Sequence, residues 1–463
     1  GTGMEARRLL ALVSLLAFVS LLWQIEGLIG NQGILPARDY LKKAQEVLGD
    51  SSFWQIPSLF WFFLEDPPLI PLCIAGLIGS ILGGLKQTWL ARTGFFLALV
   101  AYISIASTGQ IFFGYQWDSL LTESLFLFVF FPNDPSANRL QKFWYWAWHL
   151  CLRLILVKLL IGSAFVKWAS GDPTYQDLTA MNYHYLTQPL PHQLGLYAYH
   201  LPDSIHKASV IWMFAIEGLF PLMLFGFGYT LGTGIFFQVL LQVLILLTGS
   251  FGFFNLLTIA LILSTWHYKS YTAPVSKNPI LPASFVICLI FHCLLSVNQL
   301  SRQFFKTSSD SLTAVLKQIE PFRIQNSYGL FATMTTSRLE ISVETSADCI
   351  NFKPLTFLYK PDPNSPGIPR WAGFHMPRLD WQMWFTALAP PEHSPWFFRF
   401  LESLASGSKS VSNLLAVAPN QPVACFRTPV FETKIDKAAF TFEYLGVFTH
   451  TLRVNKDSVP DRF

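Results

Sequence analysis

Stretches of some eighteen or more apolar residues with few charges recur along this chain up to about residue 300, and they restrict its fold more than any other feature. An α-helix rising 1.5 Å per residue needs about 20 apolar residues to cross the roughly 30 Å hydrocarbon core of a bilayer. The segments that fit are about nine, at 9–29, 68–85, 94–114, 117–132, 146–166, 208–228, 233–250, 253–268 and 280–298. The fourth and eighth are short and read as tilted or re-entrant. Composition agrees, with 52% hydrophobic residues and only 13% charged, far from the balance of a soluble domain. A net charge of +4 without any block of Lys or Arg leaves no basic stripe to displace counterions, which excludes nucleic-acid binding.

Charge placement orients the segments. With the N-terminus inside, the inner loops hold Arg7 and Arg8, Lys86 and Arg92, Arg139 and Lys142, and Lys269 and Lys277, as the positive-inside rule requires. The first segment reads as an anchor that is not cleaved. Outside then fall the 30–67 loop, the 167–207 insert and the polar C-terminal part, dividing the chain into a transmembrane domain (4–299) and a soluble extracytoplasmic domain (300–463). The aromatic run FWQIPSLFWFF in the first loop suits the membrane interface. Alternating residues at 338–344, 438–445 and 448–454 read as strands, 361–369 as a Pro-rich loop, and RLDWQMWFTAL (378–388) as an amphipathic helix. A small β-sandwich-like domain carrying amphipathic helices results. Cys73, Cys151, Cys288 and Cys293 sit in apolar segments as small core residues. Cys349 and Cys425 are candidates for a disulfide if their domain faces an oxidising compartment. The chain has no Asn-x-Ser/Thr acceptor, which leans towards a bacterial source.

Ionisable side chains within a span cost a few kcal/mol each unless paired or hydrated. Glu123, Lys158 and Glu217 fall near mid-depth, so Lys158 is expected to neutralise one or both carboxylates. Such a group serves either as a buried clamp that fixes helix packing or as a site for a proton, lipid headgroup or other ligand. The insert KWASGDPTYQDLTAMNYHYLTQPLPH (167–192) concentrates polar and aromatic residues. The candidate catalytic residues are therefore Asp118, Glu123, Lys158, Lys167, Asp172, Asp177, His184 and Glu217. Asp172 and Asp177 read equally well as turn and helix caps, and His184 as a hydrogen-bonding lid residue. His184, His192, His200 and His206 include no pair at zinc-site spacing, so no metal is expected. No phosphate loop, nucleophile elbow or CxxC pair is present. Trp371, Phe374, Trp381, Trp384 and Trp396 are candidates for partner or membrane contact, with ordinary core packing as the alternative.

The segments GYQWDSLLTESLFLFVFFP (114–132), SGDPTYQDLTAMNYHYLTQPLP (170–191), GSFGFFNLLTIAL (249–261), NSYGLFATMTTSRLEISVE (326–344) and PRLDWQMWF (377–385) resemble, in the same order, the lipase maturation factor family. The chain departs from that pattern at KPDPNSPGIPR (360–370) and LLAVAPN (414–420). The resemblance implies a multispanning protein of the endoplasmic reticulum that brings secreted dimeric lipases to active form, with its C-terminal portion on the exported side. A bacterial member would sit in the inner membrane and need not act on lipases. In outline the membrane part is also similar to HTTM-type bundles, the transmembrane half of vitamin K-dependent carboxylases, and to small quinone-linked membrane proteins. Two functional readings follow. The first is a non-enzymatic chaperone for an exported client, without cofactor. The second is a membrane enzyme or a lipid- or quinone-binding protein, with its site at the outer mouth of the bundle.

Overall fold

A computed structural model of the chain describes residues 2–132, 138–266, 280–365, 369–437 and 439–454. Lys269, Lys277 and the tip of the Pro-rich 361–369 loop lie outside the described residues. Each segment expected to span carries a helix: α1 (Thr2–Leu22), α2 (Leu69–Gly83), α3 (Thr88–Thr108), α4 (Gln116–Val129), α5 (Arg139–Ala169), α6 (Asp203–Gly218), α7 (Gly228–Thr248), α8 (Phe254–Ser264) and α9 (Ile280–Phe305). Five of these are long and apolar enough to cross a membrane: α3, α5, α6 with its extension to Phe225, α7 and α9. With 15, 14 and 11 residues, α2, α4 and α8 reach only about 17–23 Å at 1.5 Å per residue, so none of the three crosses unaided. The expected 9–29 span also differs. Its helix starts at Thr2, breaks at Trp23–Gln24 and resumes as the short helix Ile25–Ile29; at the break the buried Gln24 amide is held by Met376 O (2.6 Å) and the Arg378 N–H (3.0 Å).

Small residues bring α2 and α3 together. A Cβ on Gly94 would stand 2.5 Å from Gly79 O, and one on Gly79 would stand 2.7 Å from Ala98 N, so only glycine permits this approach. Helices α5 and α9 lie parallel: Cys151 Sγ is 3.1 Å from Cys293 Sγ, and Lys158 Nζ is 3.3 Å from Gln299 Oε1, at nearly the same sequence offset. Both helices therefore end on the same side, where the insert and the C-terminal residues begin. Cys288, expected in the core, is exposed on α9. At the opposite end of the bundle Arg7 donates to Lys86 O (3.2 Å), and Arg92 donates to Phe131 O (2.6 Å) while lying 4.7 Å over the Trp144 ring.

Among the described residues the expected sandwich resolves into three short antiparallel sheets. In the first, Pro429–Asp436 lies between Arg338–Ile341 and Ala439–Val447. The second holds Lys353–Pro354, Glu344–Ser346, Cys425–Arg427 and Leu452–Arg453 in that order, and the third pairs Thr356–Phe357 with Leu415–Val417. The run 338–344 is thus split between two sheets. Its supposed polar face is not solvated: Arg338 and Glu340 are 2% and 1% exposed, because Glu340 accepts from Arg338 (2.6 Å) and Lys360 (2.9 Å). A disulfide joins Cys349 to Cys425, with Cα atoms 5.2 Å apart. The helix Arg378–Thr386 is buried nearly all round, so it is not amphipathic. One apolar core runs from α1 through the bundle into this C-terminal module.

Candidate functional site

Asp118 and Glu123 leave α4 about 140° apart, since five residues advance a helix by that angle beyond a full turn. They consequently face two different partners. Glu123 points between α5 and α9, where Oε1 accepts from Lys158 Nζ at 2.5 Å and lies 3.3 Å from His292 Nε2. Its Oε2 accepts from the Tyr328 hydroxyl (2.6 Å) and the Asn326 N–H (3.2 Å). Neither Glu123 nor Lys158 has any solvent-accessible side-chain surface. Asp118 receives both ends of the Arg378 guanidinium at 2.7 Å and the Tyr102 hydroxyl. Arg378 also donates to Phe112 O (2.7 Å) and lies 3.9 Å over the Phe113 ring. A bidentate, charge-assisted pair of this kind is both strong and geometrically selective.

The remaining sequence-derived candidates distribute as follows. Lys158 does not bridge to Glu217; Glu217 is paired instead with Lys167 at 2.5 Å, one stage nearer the insert. Asp172 caps its own turn through the Thr174 N–H (2.8 Å), and its second oxygen accepts the Met334 N–H (2.8 Å), tying insert to C-terminal module. Asp177 caps Thr179 locally (3.1 Å) at an exposed position. His184 lies parallel to the Phe251 ring, with centroids 6.5 Å apart, and edge-on to Phe331 at 6.0 Å. Burial, and then the Lys167 charge, push its pKa down to about 4, so it is neutral at neutral pH.

Sequence reasoning missed His292, Gln325, Asn326, Tyr328 and Arg378. The signal was nonetheless present, because Asn326 and Tyr328 open the 326–344 segment and Arg378 sits in 377–385. The five quoted segments meet at one place: Phe251 packs against Trp381 (5.9 Å) and Phe331 (5.5 Å), His184 rests on Phe251, and the two carboxylates of 114–132 take their partners from the C-terminal two. Every oxygen of Asp118 and Glu123 is engaged, which makes these groups a lock between bundle and module. Among the described residues no group of three His, Cys, Asp or Glu is placed to hold a metal ion.

Of the aromatics expected at a partner surface, Trp381 and Trp396 are core, 2% and 3% exposed. Trp381 is enclosed by Tyr115, Trp117 and Phe251, and the Trp396 indole N–H donates to Thr386 Oγ1 (3.1 Å). Trp384 is half-buried and donates to Thr187 O (2.9 Å). Trp371 remains 49% exposed, and Phe374 lines a groove of about 480 Å³ beside Trp23 and His375. A larger cleft, about 840 Å³, opens between the ends of α5 and α9. Its floor is formed by Gln299, Gln325 and Asn326, the residues that also surround the Lys158–Glu123 pair.

Residues 5–273 match the model of the lipase maturation factor transmembrane domain, and residues 324–447 that of the lipase maturation factor C-terminal domain. The chain is 30% identical to lipase maturation factor 2 of Gallus gallus, covering 91% of this chain and 75% of that protein. It is 30% identical to lipase maturation factor 2 of Homo sapiens (88% and 74%) and 28% identical to lipase maturation factor 1 of Mus musculus (89% and 78%). No solved structure matches the chain.

Proposed function

Because this chain belongs to the lipase maturation factor family, we propose that it is a membrane-anchored factor that assists the folding or assembly of exported proteins, with lipase-like clients. The insert and C-terminal module stand on the non-cytosolic side of an endoplasmic reticulum or bacterial inner membrane. The disulfide supports this placement, since such bonds persist in oxidising compartments. The observation that carries the reading is the strand Ala439–Val447. Among the described residues it pairs on one side only, with Pro429–Asp436, and it exposes Tyr444 (60%), Leu445 (55%) and Val447 (53%).

An open strand edge offers a row of unpaired N–H and C=O groups. A client with an unpaired strand of its own adds to that edge through main-chain bonds, and the exposed apolar side chains cover part of its surface. Main-chain pairing is indifferent to sequence, as a folding factor requires, and a single short strand releases readily. The buried locks at Asp118 and Glu123 hold this edge at a fixed height above the bilayer.

A photo-crosslinking side chain placed at Tyr444 in cells secreting a lipase should capture the newly made enzyme, and Leu445→Lys should abolish capture and lower secreted lipase activity. If the Tyr444→Lys, Leu445→Lys double variant folds and supports full lipase secretion, the edge is not the client site.

A further inference from the structure

The 840 Å³ cleft is walled by the last turns of α5 and α9 and roofed by the helix Asp310–Ile319. Three cations line it, Arg302, Lys306 and Lys317, against one carboxylate, Glu320. None of the three makes an ion pair or side-chain hydrogen bond among the described residues, unlike the buried Lys158, Lys167, Lys360 and Arg378. Arg302 and Lys317 sit in the last turns of their helices and Lys306 directly follows Phe305, positions where a cation offsets the terminal carbonyls. That explains one cation per helix end, but not why three share one cavity. The flanks of the cleft are apolar and exposed: Trp168 and Phe305 each stand 73% open, and the Phe165 and Phe304 rings pack edge to face at 4.9 Å. Large aromatics at the ends of membrane-crossing helices mark the headgroup level of a bilayer.

We infer that this cleft binds the phosphate headgroup of an anionic membrane lipid. The phosphate lies against Arg302, Lys306 and Lys317, the headgroup hydroxyls face the amides of the floor, and the acyl chains run down the lipid-facing side of α9 past Phe305. The amphiphile explains both halves of the site: the cations need an anion, and the exposed aromatic flank needs a tail. A volume of 840 Å³ is ample for a glycerophosphate headgroup.

The test uses the full chain in detergent and native mass spectrometry, titrating phosphatidylglycerol, phosphatidylcholine and inorganic phosphate separately. Phosphatidylglycerol should bind selectively, and removing each cation should weaken it about fivefold. The Arg302→Gln, Lys306→Gln, Lys317→Gln variant should therefore lose selectivity over phosphatidylcholine, while Arg302→Lys, Lys306→Arg, Lys317→Arg keeps it. Lys317→Gln alone, at an exposed and unpaired position, gives the single-step reading if the triple variant fails to fold. Unchanged phosphatidylglycerol binding in the folded neutral variants overturns the proposal. So does displacement of the lipid by millimolar inorganic phosphate alone, which would make this a soluble-anion site.

Discussion

Asp118 and Glu123 illustrate how two acidic residues on one short helix are accommodated out of water. Each is matched by one cation and at least one phenol, Arg378 with Tyr102 and Lys158 with Tyr328, so that every carboxylate oxygen has a donor. Breaking such a pair from one side strands the other charge. Arg378→Met should cost about 3–5 kcal/mol of stability in detergent, measured by thermal or denaturant unfolding, and adding Asp118→Asn should restore part of the loss. Additive effects would contradict the pairing. His184 makes the stability of the fold depend on pH. Its ordinary pKa of 6.5 falls to about 4 in the folded chain, so between those values the unfolded chain binds a proton that the native one refuses. The stabilisation is complete above pH 6.5 and is lost as pH falls towards 4. His375 acts in the same direction, its pKa lowered to about 4 by burial and then Arg378, whereas burial raises Asp380 to about 6 and opposes them. The Tm of His184→Phe should therefore decline less than that of the parent between pH 6.5 and 4.5; equal declines would place His184 in solvent.

At the scale of elements, what the sequence disclosed and what it withheld have different physical origins. Apolar runs located every bundle helix, because hydrophobicity over some 20 residues is a local property. The strand at 439–447 was legible from its alternation. Which cation meets which carboxylate was not, since depth along a helix says nothing about its rotation, and Arg378 lies 260 positions from Asp118. Likewise the sequence leaves Trp381 and Trp396 open to partner contact or core packing, because what covers a helix is not a local property; the 378–386 helix is sandwiched between bundle and sheets with almost no solvated face, and Trp396 is buried on the separate helix Pro395–Ala405. The Arg338–Glu340–Lys360 group misled in the same way, imitating the polar face of a strand while buried. The Cys349–Cys425 disulfide spans 76 positions, and closing a loop of that length stabilises by about 4.5 kcal/mol in the chain-entropy treatment. Replacing both cysteines with Ser should accelerate amide exchange in Glu344–Ser346 and Cys425–Arg427 while leaving α5 and α9 protected. Faster exchange in the bundle helices as well would show that module and body unfold together.

For the molecule as a whole, the insert and the C-terminal module form a single cap on one end of the bundle. Arg338 donates to Leu186 O (3.1 Å) and Pro189 O (2.9 Å) of the insert, and Trp384 donates to Thr187 O, so the two cannot lie on different sides of a membrane. The basic end, with Arg7, Lys86 and Arg92, is the opposite one. The proposed role and the proposed lipid cleft both depend on which compartment this cap faces. Impermeant thiol labelling of sealed membranes from their cytosolic face, with Tyr197→Cys in the insert and Lys409→Cys in the module on a Cys288→Ser background, asks that directly. Both positions should stay unlabelled until the membrane is breached and then react; labelling of either one from the cytosolic face of sealed membranes would contradict the placement.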